Sequence, residues 1–386
     1  MFHLSEQELE RLGAKITSNE IKQQPMLWKE TLEIYLKEKE NIDQFLDQLR
    51  ALGRVRVIFT GAGTSAYVGD TLLTYLKNKV DENHFSLESI PTTDIVSNPY
   101  DSYKKDVPTL LVSFARSGNS PESIAAVELG KQLVDQFYQL NITCAETGKL
   151  AQQTKGNHSF LLLMPPKSND QGFAMTGSFT CMMLSTLLIF DRHSVEQKQA
   201  FVEQMIEMGN HVIKNEDKIQ NIINRDFNRI VYLGSGSLAG LTREAQLKVL
   251  ELTAGQYVTN FDSSLGFRHG PKSFVNEHTA VFVFTSNDEY TRKYDLDILE
   301  EIKRDGITDV IVSISVDQET NYSGECFAFS DGKDLDDIYL AFPYIMFAQT
   351  VSIMASLKVG NTPDTPSATG TVNRVVKGVT IHDYQG

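Results

Sequence analysis

The 386-residue sequence has few cysteines. It contains only Cys144, Cys181 and Cys326, and these are far apart along the chain. A disulfide framework needs several cysteines, and a structural zinc site needs ligand pairs at short, regular spacings. The sequence therefore predicts reduced thiols, as in a cytoplasmic protein, and no metal site.

Basic residues are also scarce. The chain has 36 Lys and Arg against 50 Asp and Glu, which gives a formal net charge of −14 at pH 7. Non-specific binding to nucleic acid depends on a surplus of positive charge. The composition therefore argues against nucleic acid as a partner.

A targeting or membrane-spanning segment is not evident either. The N-terminal stretch MFHLSEQELERLG carries acidic residues early and has no apolar run, so we do not expect a signal peptide. Residues 174–190 (AMTGSFTCMMLSTLLIF) are strongly apolar, but they are fewer than the roughly 20 residues that span a bilayer. We expect this segment to be a buried core helix, in a cytoplasmic protein that has no membrane partner.

The sequence does contain alternating strand and helix patterns. Residues 55–60 (VRVIFT) form a β-branched run that leads through glycines into a segment with helical periodicity. Residues 109–114 (TLLVSF) lead through a Ser, Gly and Asn loop into a helix from about Pro121, a residue that suits a first helical turn. Strands and helices at this spacing predict parallel βαβ units.

The second half of the chain repeats this layout. The segment RIVYLGSGSLAGLTREAQLKVLEL, from Arg229, matches VRVIFTGAGTSAYVGDTLLTYL in its strand, two glycines, small hydroxyl residues and helix. Such self-similarity predicts a duplicated α/β domain. We expect an N-terminal helical segment at 1–45, one domain at 46–200, a second at 201–360 and a C-terminal tail at 361–386.

The loop GAGTSA at residues 61–66 has two interpretations. Gly61, Gly63 and Ala66 satisfy the glycine fingerprint of a dinucleotide site, whereas Gly63, Thr64 and Ser65 suit a hydroxyl-lined loop around a sugar. A dinucleotide domain uses one such turn, with an acidic residue about 20 positions on. Because the turn recurs at 234–239 and no acidic residue visibly ends a second strand, the sequence favours the sugar loop over a nicotinamide or flavin site.

The loop SFARSGNS at residues 113–120 joins a predicted strand to a predicted helix. Ser113, Ser117 and Ser120, with the free N–H groups of the helix start, are suitable donors for a dianionic phosphate, and Arg116 adds charge. Ordinary βα turns contain Ser, Gly and Asn for capping reasons alone. Taken by itself, the loop favours neither interpretation.

Two further groups could carry protons. Glu244, Lys248 and Glu251 fall on one helix face; this spacing is typical of a solvated ion-pair stripe, but Glu251 lies in a more apolar turn. A carboxylate partly screened from water can exchange protons with a carbon acid. His269 precedes Gly-Pro on a fixed turn and could carry protons near neutral pH, although a lone loop histidine is more often structural.

Four of these segments, in order, carry a resemblance to a known family. GAGTSAY, SFARSGNSPES, REAQLKVLELTAGQ and FRHGPKSF resemble sugar isomerase (SIS) domain proteins, from about Leu46 to the tail. The chain is similar to the isomerase half of glucosamine-6-phosphate synthases and, more closely, to the stand-alone galactosamine-6-phosphate deaminase/isomerases of the AgaS type, also called tagatose-6-phosphate ketose/aldose isomerases. The resemblance implies an α/β fold with two tandem SIS domains, each a parallel-sheet βαβ sandwich with flanking helices.

The resemblance also implies roles for individual residues. Glu251 moves a proton between C1 and C2 of the open-chain sugar, Lys248 lies beside it, and His269 opens the ring, in the synthase from a neighbouring subunit. The residues implied in substrate binding are Gly63, Thr64 and Ser65 on the sugar, Ser113, Arg116, Ser117 and Ser120 on the phosphate, and Lys377 in a tail that closes over the site.

The expected reaction is degradative. The synthase obtains ammonia from a glutaminase domain whose nucleophilic cysteine follows the initiator Met, and here residue 2 is Phe. We therefore expect an isomerising deaminase that converts galactosamine 6-phosphate to tagatose 6-phosphate and ammonia in amino-sugar catabolism, as a homodimer or higher oligomer without cofactors. The alternatives are a sugar-phosphate isomerase that releases no amine, a glucosamine-6-phosphate deaminase, and a sugar-phosphate sensor, which the lack of a basic helix-turn-helix segment disfavours.

Overall fold

Helices and strands alternate along the residues that the computed structural model describes, 1–376 and 378–385. The strands are β1 (Val55–Thr60), β2 (Phe85–Ser89), β3 (Thr109–Ala115), β4 (Phe137–Thr143), β5 (Ser159–Leu163), β6 (Arg229–Gly234), β7 (Val258–Ser263), β8 (Thr279–Phe284), β9 (Val310–Val316) and β10 (Glu325–Phe329). The helices are α1 (Glu6–Arg11), α2 (Lys15–Lys22), α3 (Gln24–Arg50), α4 (Thr64–Lys77), α5 (Thr92–Ser97), α6 (Pro99–Ser102), α7 (Pro121–Leu133), α8 (Lys149–Gln152), α9 (Gly177–Phe190), α10 (Val195–Lys214), α11 (Glu216–Ile223), α12 (Ser237–Leu252), α13 (Glu289–Asp305) and α14 (Asp337–Lys358). Short 3₁₀ helices lie at Pro166–Ser168, Gly266–Arg268 and Pro271–Phe274.

The chain forms two compact units. Unit 1 consists of Met1–Met26, Gln171–Thr176 and Val195–Thr369. Unit 2 consists of Leu27–Asp170, Gly177–Ser194 and the described residues from Gly370 onward. Both units are assembled from non-contiguous segments, and the contiguous boundaries at 45, 200 and 360 stay a prediction.

Unit 2 contains a five-stranded parallel sheet in the order β2-β1-β3-β4-β5. Every residue of β1, β3 and β4 is buried, as expected for parallel strands that are covered by helices on both faces. Thr60 at the end of β1 pairs with Ser113 on β3, so the loops that follow these two strands leave from the same edge.

Unit 1 contains a second five-stranded parallel sheet, in the order β10-β9-β8-β6-β7. In both sheets the first strand in the chain lies between the second and the third, and the fourth and fifth follow the third. The predicted fold class, two parallel-sheet α/β domains with flanking helices, is confirmed.

Each unit has one strongly apolar helix. All residues of α9 are buried, which confirms the core helix predicted at 174–190. Helix α14 is the one helix of the described residues that is long and apolar enough to cross a membrane, and its apolar window is entirely buried inside the protein. Both helices serve as core helices.

Candidate active site

In unit 2, the turn after β1 places two hydroxyl residues at the start of α4. A Cβ on Gly61 would lie 2.5 Å from Cβ of Ser65, so only glycine lets the chain turn this tightly. Gly63 has φ 57° and ψ −128°, a conformation that favours glycine. Thr64 and Ser65 are therefore held, buried, in the first turn of the helix.

The turn after β3 leads to the start of α7 at the same edge of the sheet. Ser120 is the N-cap residue, makes no side-chain capping bond and precedes Pro121, which occupies the first turn as predicted. The amino ends of α4 and α7 thus meet at one edge, where their dipoles favour an anion. Four hydroxyl residues follow β1 and β3 at this edge: Thr64, Ser65, Ser117 and Ser120.

The loop of residues 116–120 is supported from below by the start of α8. The backbone N–H of Leu150 donates to the carbonyl of Gly118 at 3.0 Å, and Gly118 has a positive φ of 64°. A Cβ on Gly148 would approach the carbonyl oxygen of Ser117 to 2.3 Å. This close approach fixes the backbone of the loop, in which Ser117 and Ser120 are half-buried.

Two predicted phosphate ligands have other surroundings. Ser113 lies inside β3 rather than in the loop; its Oγ is buried and has no hydrogen-bond partner among the described residues. Arg116 is buried, and its Nη2 donates to the carbonyl of Arg374 at 2.6 Å. Arg374 in turn donates from Nε to the carbonyl of Asp170 at 2.9 Å. Arg116 therefore tethers the C-terminal segment, a contact that the sequence pattern did not indicate.

In unit 1, helix α12 carries a buried cation between two carboxylates. Nζ of Lys248 lies 3.3 Å from Oε1 of Glu244 and 2.6 Å from Oε2 of Glu251. The side chains of Glu244 and Lys248 are 0% and 1% exposed, whereas that of Glu251 is 24% exposed. The predicted ion pairs are present, but a solvated stripe is wrong for Glu244 and Lys248, because the apolar surroundings of α12 cover them.

The charge of Lys248 is maintained despite its burial. Burial lowers the pKa of this ammonium, but the nearby carboxylates of Glu244 and Glu251 outweigh the burial and raise the pKa above its ordinary value. Glu251 is thus a partly exposed carboxylate with a permanent hydrogen-bond donor beside it. It can accept a proton from a substrate that reaches its exposed side.

His269 lies on a turn that its neighbours fix. The turn separates two 3₁₀ helices; the backbone N–H of His269 donates to the carbonyl of Gly266 at 2.9 Å, and its exposed imidazole has no hydrogen bond among the described residues. Nε of Arg268 donates to Glu301 at 2.7 Å, and Nζ of Lys272 lies 2.5 Å from Asp305. Both contacts attach the turn to α13, which leaves the imidazole accessible on a rigid support.

Glu251 and His269 lie at opposite edges of the unit 1 sheet. Helix α12 starts at the carboxyl end of β6 and runs back over its 16 residues, a length of about 24 Å, before β7 begins. His269 follows β7, whose six residues return to the carboxyl edge over about 20 Å. Unit 1 alone therefore does not bring the two side chains together.

Two further predictions concern Lys377 and the absence of a metal site. Lys377 lies outside the described residues. Among residues 1–376 and 378–385, no group of three His, Cys, Asp or Glu side chains is placed to hold a metal ion. The predicted site residues that the structure describes thus provide hydroxyl groups in unit 2 and a carboxylate–ammonium cluster on α12 in unit 1.

Comparison with known families and proteins shows which of them this chain resembles. The SIS domain family matches residues 53–190. The chain is 43% identical over 385 residues to D-galactosamine-6-phosphate deaminase AgaS of Shewanella sp. (strain ANA-3), covering 99% of this chain and 95% of that protein. It is 44% identical over 372 residues to D-galactosamine-6-phosphate deaminase AgaS of Escherichia coli, covering 96% of each.

A solved structure gives the same result in three dimensions. The tagatose-6-phosphate ketose/aldose isomerase of Escherichia coli superposes with a TM-score of 0.85 at 40% identity, covering 96% of this chain and 97% of that one. The likeness includes both parallel sheets, because it extends over nearly the whole of both chains.

Proposed function

This chain belongs to the AgaS family of SIS-domain proteins, and we propose that it deaminates and isomerises D-galactosamine 6-phosphate to tagatose 6-phosphate and ammonia. The observation that carries the proposal is the identity of 43% and 44% to deaminases of that name over nearly the full length of both partners. We place the enzyme in the cytoplasm, in amino-sugar catabolism, and assign it no metal or organic cofactor.

The proton carrier in this proposal is Glu251. Its carboxylate removes the C2 proton of the open-chain amino aldose while the aldehyde oxygen gains a proton, which gives an enolamine. The carboxylate then returns its proton to C1 as the nitrogen loses one. The product of this step has an imine at C2, and water then replaces the nitrogen to leave a ketose phosphate and ammonia. Partial exposure of Glu251 and its 2.6 Å contact with the Lys248 ammonium support this role, since the ammonium stabilises the carboxylate between transfers.

The phosphate group is bound, in this proposal, by the loop of residues 116–120. The hydroxyls of Ser117 and Ser120 are its ligands at the positive end of the α7 dipole, and Thr64 and Ser65 contact the sugar. Two helix amino ends at one sheet edge support this assignment. Arg116 adds positive charge to this loop and also holds the tail, because its Nη2 donates to the carbonyl of Arg374.

Ring opening requires His269 from a second copy of the chain. The placement of His269 and Glu251 at opposite ends of β7, a strand about 20 Å long, supports this arrangement. The edge strand β7 also presents apolar side chains: Val258 is 50% exposed, Phe261 38% and the following Leu265 49%. An apolar patch beside His269 is suited to burial in a homodimer.

A second candidate function is simple aldose–ketose isomerisation, which the name of the Escherichia coli structural relative favours. Both activities use the same proton transfer, so they differ only in whether an amine leaves. The experiment is an assay of ammonia and ketose phosphate with galactosamine 6-phosphate, glucosamine 6-phosphate and tagatose 6-phosphate as substrates.

We expect equal amounts of ammonia and ketose phosphate from galactosamine 6-phosphate, and a loss of at least about 100-fold in Glu251→Gln. If the protein interconverts sugar phosphates without releasing ammonia, it is an isomerase and the deaminase assignment is wrong. If glucosamine 6-phosphate is turned over faster than galactosamine 6-phosphate, the assigned substrate is wrong but the proposed deamination stands.

A further inference from the structure

The two units have the same backbone conformation at the carboxyl edges of their sheets. Gly63 of unit 2 and Gly236 of unit 1 cap α4 and α12 with nearly identical torsion angles, φ 57° and ψ −128° against φ 56° and ψ −126°. In both units, the loop after the third strand leads into a helix start beside this turn. The unit 1 counterpart of residues 116–120 is therefore the loop of residues 285–288.

The donors of the unit 1 loop are bonded to two carboxylates of the same unit, the buried Asp295 and the half-buried Asp337. Oγ of Ser286 donates to Asp337 at 2.5 Å, and the backbone N–H of Asn287 donates to the same carboxylate at 2.7 Å. The backbone N–H of Ser286 donates to Asp295 at 2.9 Å. These are the donor types, hydroxyl and backbone N–H, that bind a phosphate oxygen at such a loop.

Asp295 also accepts hydrogen bonds from the serine hydroxyls that follow the first two strands of unit 1. Oγ of Ser235 and Oγ of Ser264 each donate to its Oδ1 at 2.5 Å. Asp295 is fully buried, and burial raises its pKa to about 6 against the opposing hydrogen bonds of the two serines. This carboxyl group accepts hydrogen bonds from donors at the ends of β6, β7 and β8.

Unit 2 has no such carboxylates at the matching positions. The first residue of the buried helix after the fifth strand is Asp337 in unit 1 but Gly177 in unit 2. The seventh residue of the helix after the third strand is Asp295 in unit 1 but Val127 in unit 2. Among the described residues, nothing from 117–120 donates a hydrogen bond to a carboxylate.

We propose that Asp337 and Asp295 are built-in anions that fill the unit 1 counterpart of the phosphate loop, so that each chain binds one sugar phosphate, at unit 2. This inference rests on the proposed function for its ligand class, a phosphate monoester. The two carboxylates take the donors and repel a further anion, while the loop of unit 2 keeps its donors for the substrate.

Removal of one internal carboxylate should open an oxyanion site. We would measure inorganic phosphate binding by calorimetry and the Tm in phosphate against chloride at equal ionic strength, for the full-length protein. Wild type is expected to bind one phosphate per chain. Asp337→Ala is expected to bind two, with a saturable rise in Tm, because phosphate replaces the missing carboxylate.

Asp337→Asn is the matched control. Its amide fills the same space and keeps an acceptor oxygen for Ser286, so we expect it to bind a single phosphate. Two phosphates per wild-type chain would overturn the inference, whether or not the alanine variant folds. A single phosphate in a folded Asp337→Ala would also overturn it.

A third variant separates this inference from the proposed function. Ser117→Ala with Ser120→Ala removes hydroxyl donors only from unit 2 and should lower phosphate affinity in the wild-type background at least about tenfold. If that double variant binds phosphate normally, the phosphate loop of the proposed function is wrong. The gain of a site in Asp337→Ala tests unit 1 alone.

Discussion

Lys248 is a cation with almost no contact with water, and its neighbours determine what its removal would do. Glu244 is as deeply buried, so the ammonium balances a carboxylate that cannot be solvated. Breaking a buried pair from one side leaves an uncompensated charge. Glu251 differs, because its exposed part can be hydrated when its partner changes.

This difference predicts distinct outcomes for two substitutions. Lys248→Met should lower the free energy of unfolding by about 3 to 5 kcal/mol, whereas Glu251→Gln should change it by less than about 1 kcal/mol and still abolish turnover. Urea denaturation and the ammonia assay measure the two effects.

An exposed pair on α13 provides the control. Lys293 lies 3.6 Å from Glu289 at the same four-residue spacing, but the two side chains are 65% and 93% exposed. Lys293→Met should change the free energy of unfolding by less than about 0.5 kcal/mol. Equal losses for Lys248→Met and Lys293→Met would contradict the role assigned to burial.

At the scale of elements, the C-terminal segment of unit 2 is attached at two points. Arg374 is held near the phosphate loop by Arg116. Tyr384 packs edge-on against Tyr100 with ring centroids 5.4 Å apart and contacts the core cluster of the unit. Between these points the segment borders a cavity of about 900 Å³ beside α5, α6 and α7.

Loss of the second attachment should loosen the segment. We expect Tyr384→Ala to increase tryptic cleavage after Arg374 and to raise KM for the sugar phosphate about threefold or more, because a looser tail closes less often over the bound substrate. Limited proteolysis and steady-state kinetics measure these changes. Tyr290→Ala is the matched control, since Tyr290 forms a similar edge-on pair with Tyr294 at 5.2 Å on α13.

The control should leave both quantities unchanged. If Tyr384→Ala and Tyr290→Ala are cleaved at the same rate, the ring contact does not hold the tail.

The elements also show what the sequence could predict. Strands β1, β3 and β8 were predictable because they are short, mostly apolar runs in which every residue is buried. Strand β7 (VTNFDS) is an edge strand whose residues are half-buried or exposed. Its polar residues give it a composition typical of a loop. The strand of residues 85–89 (FSLES) at the other sheet's edge was missed for the same reason.

Candidate side chains were predictable only in part. The serine and glycine loops are local, so their residue types and their place after a strand could be read directly. Burial of Glu244 and Lys248 depends on what packs around α12, and this includes α14, which begins about 90 positions further along the chain. The Arg116 contact with Arg374 and the carboxylates of Asp295 and Asp337 are likewise long-range, and no local pattern predicts them.

At the scale of the whole molecule, the proposed mechanism needs two copies of the chain. If His269 acts on the site of its partner, two inactive variants should complement each other. We expect Glu251→Gln and His269→Ala to be inactive alone, and a refolded equal mixture to regain about a quarter of the wild-type activity, since half of the dimers hold one intact site.

The mixture must be compared with each variant refolded alone at the same total concentration. Activity that does not exceed the sum of the separate variants would show that His269 and Glu251 do not combine across an interface. Native mass spectrometry of the mixture confirms that mixed dimers have formed.

The non-contiguous make-up of unit 1 has a consequence for synthesis on the ribosome. Met1–Met26 belongs to the same unit as Val195–Thr369, and Thr17 donates its backbone N–H to Asp364 at 2.8 Å. At about 5 to 20 residues per second, the first helices wait about 10 to 30 s for the start of their partner segment. During that interval Leu9 and Ile21, which are buried in the finished protein, have no native cover, and the nascent chain offers them to chaperones.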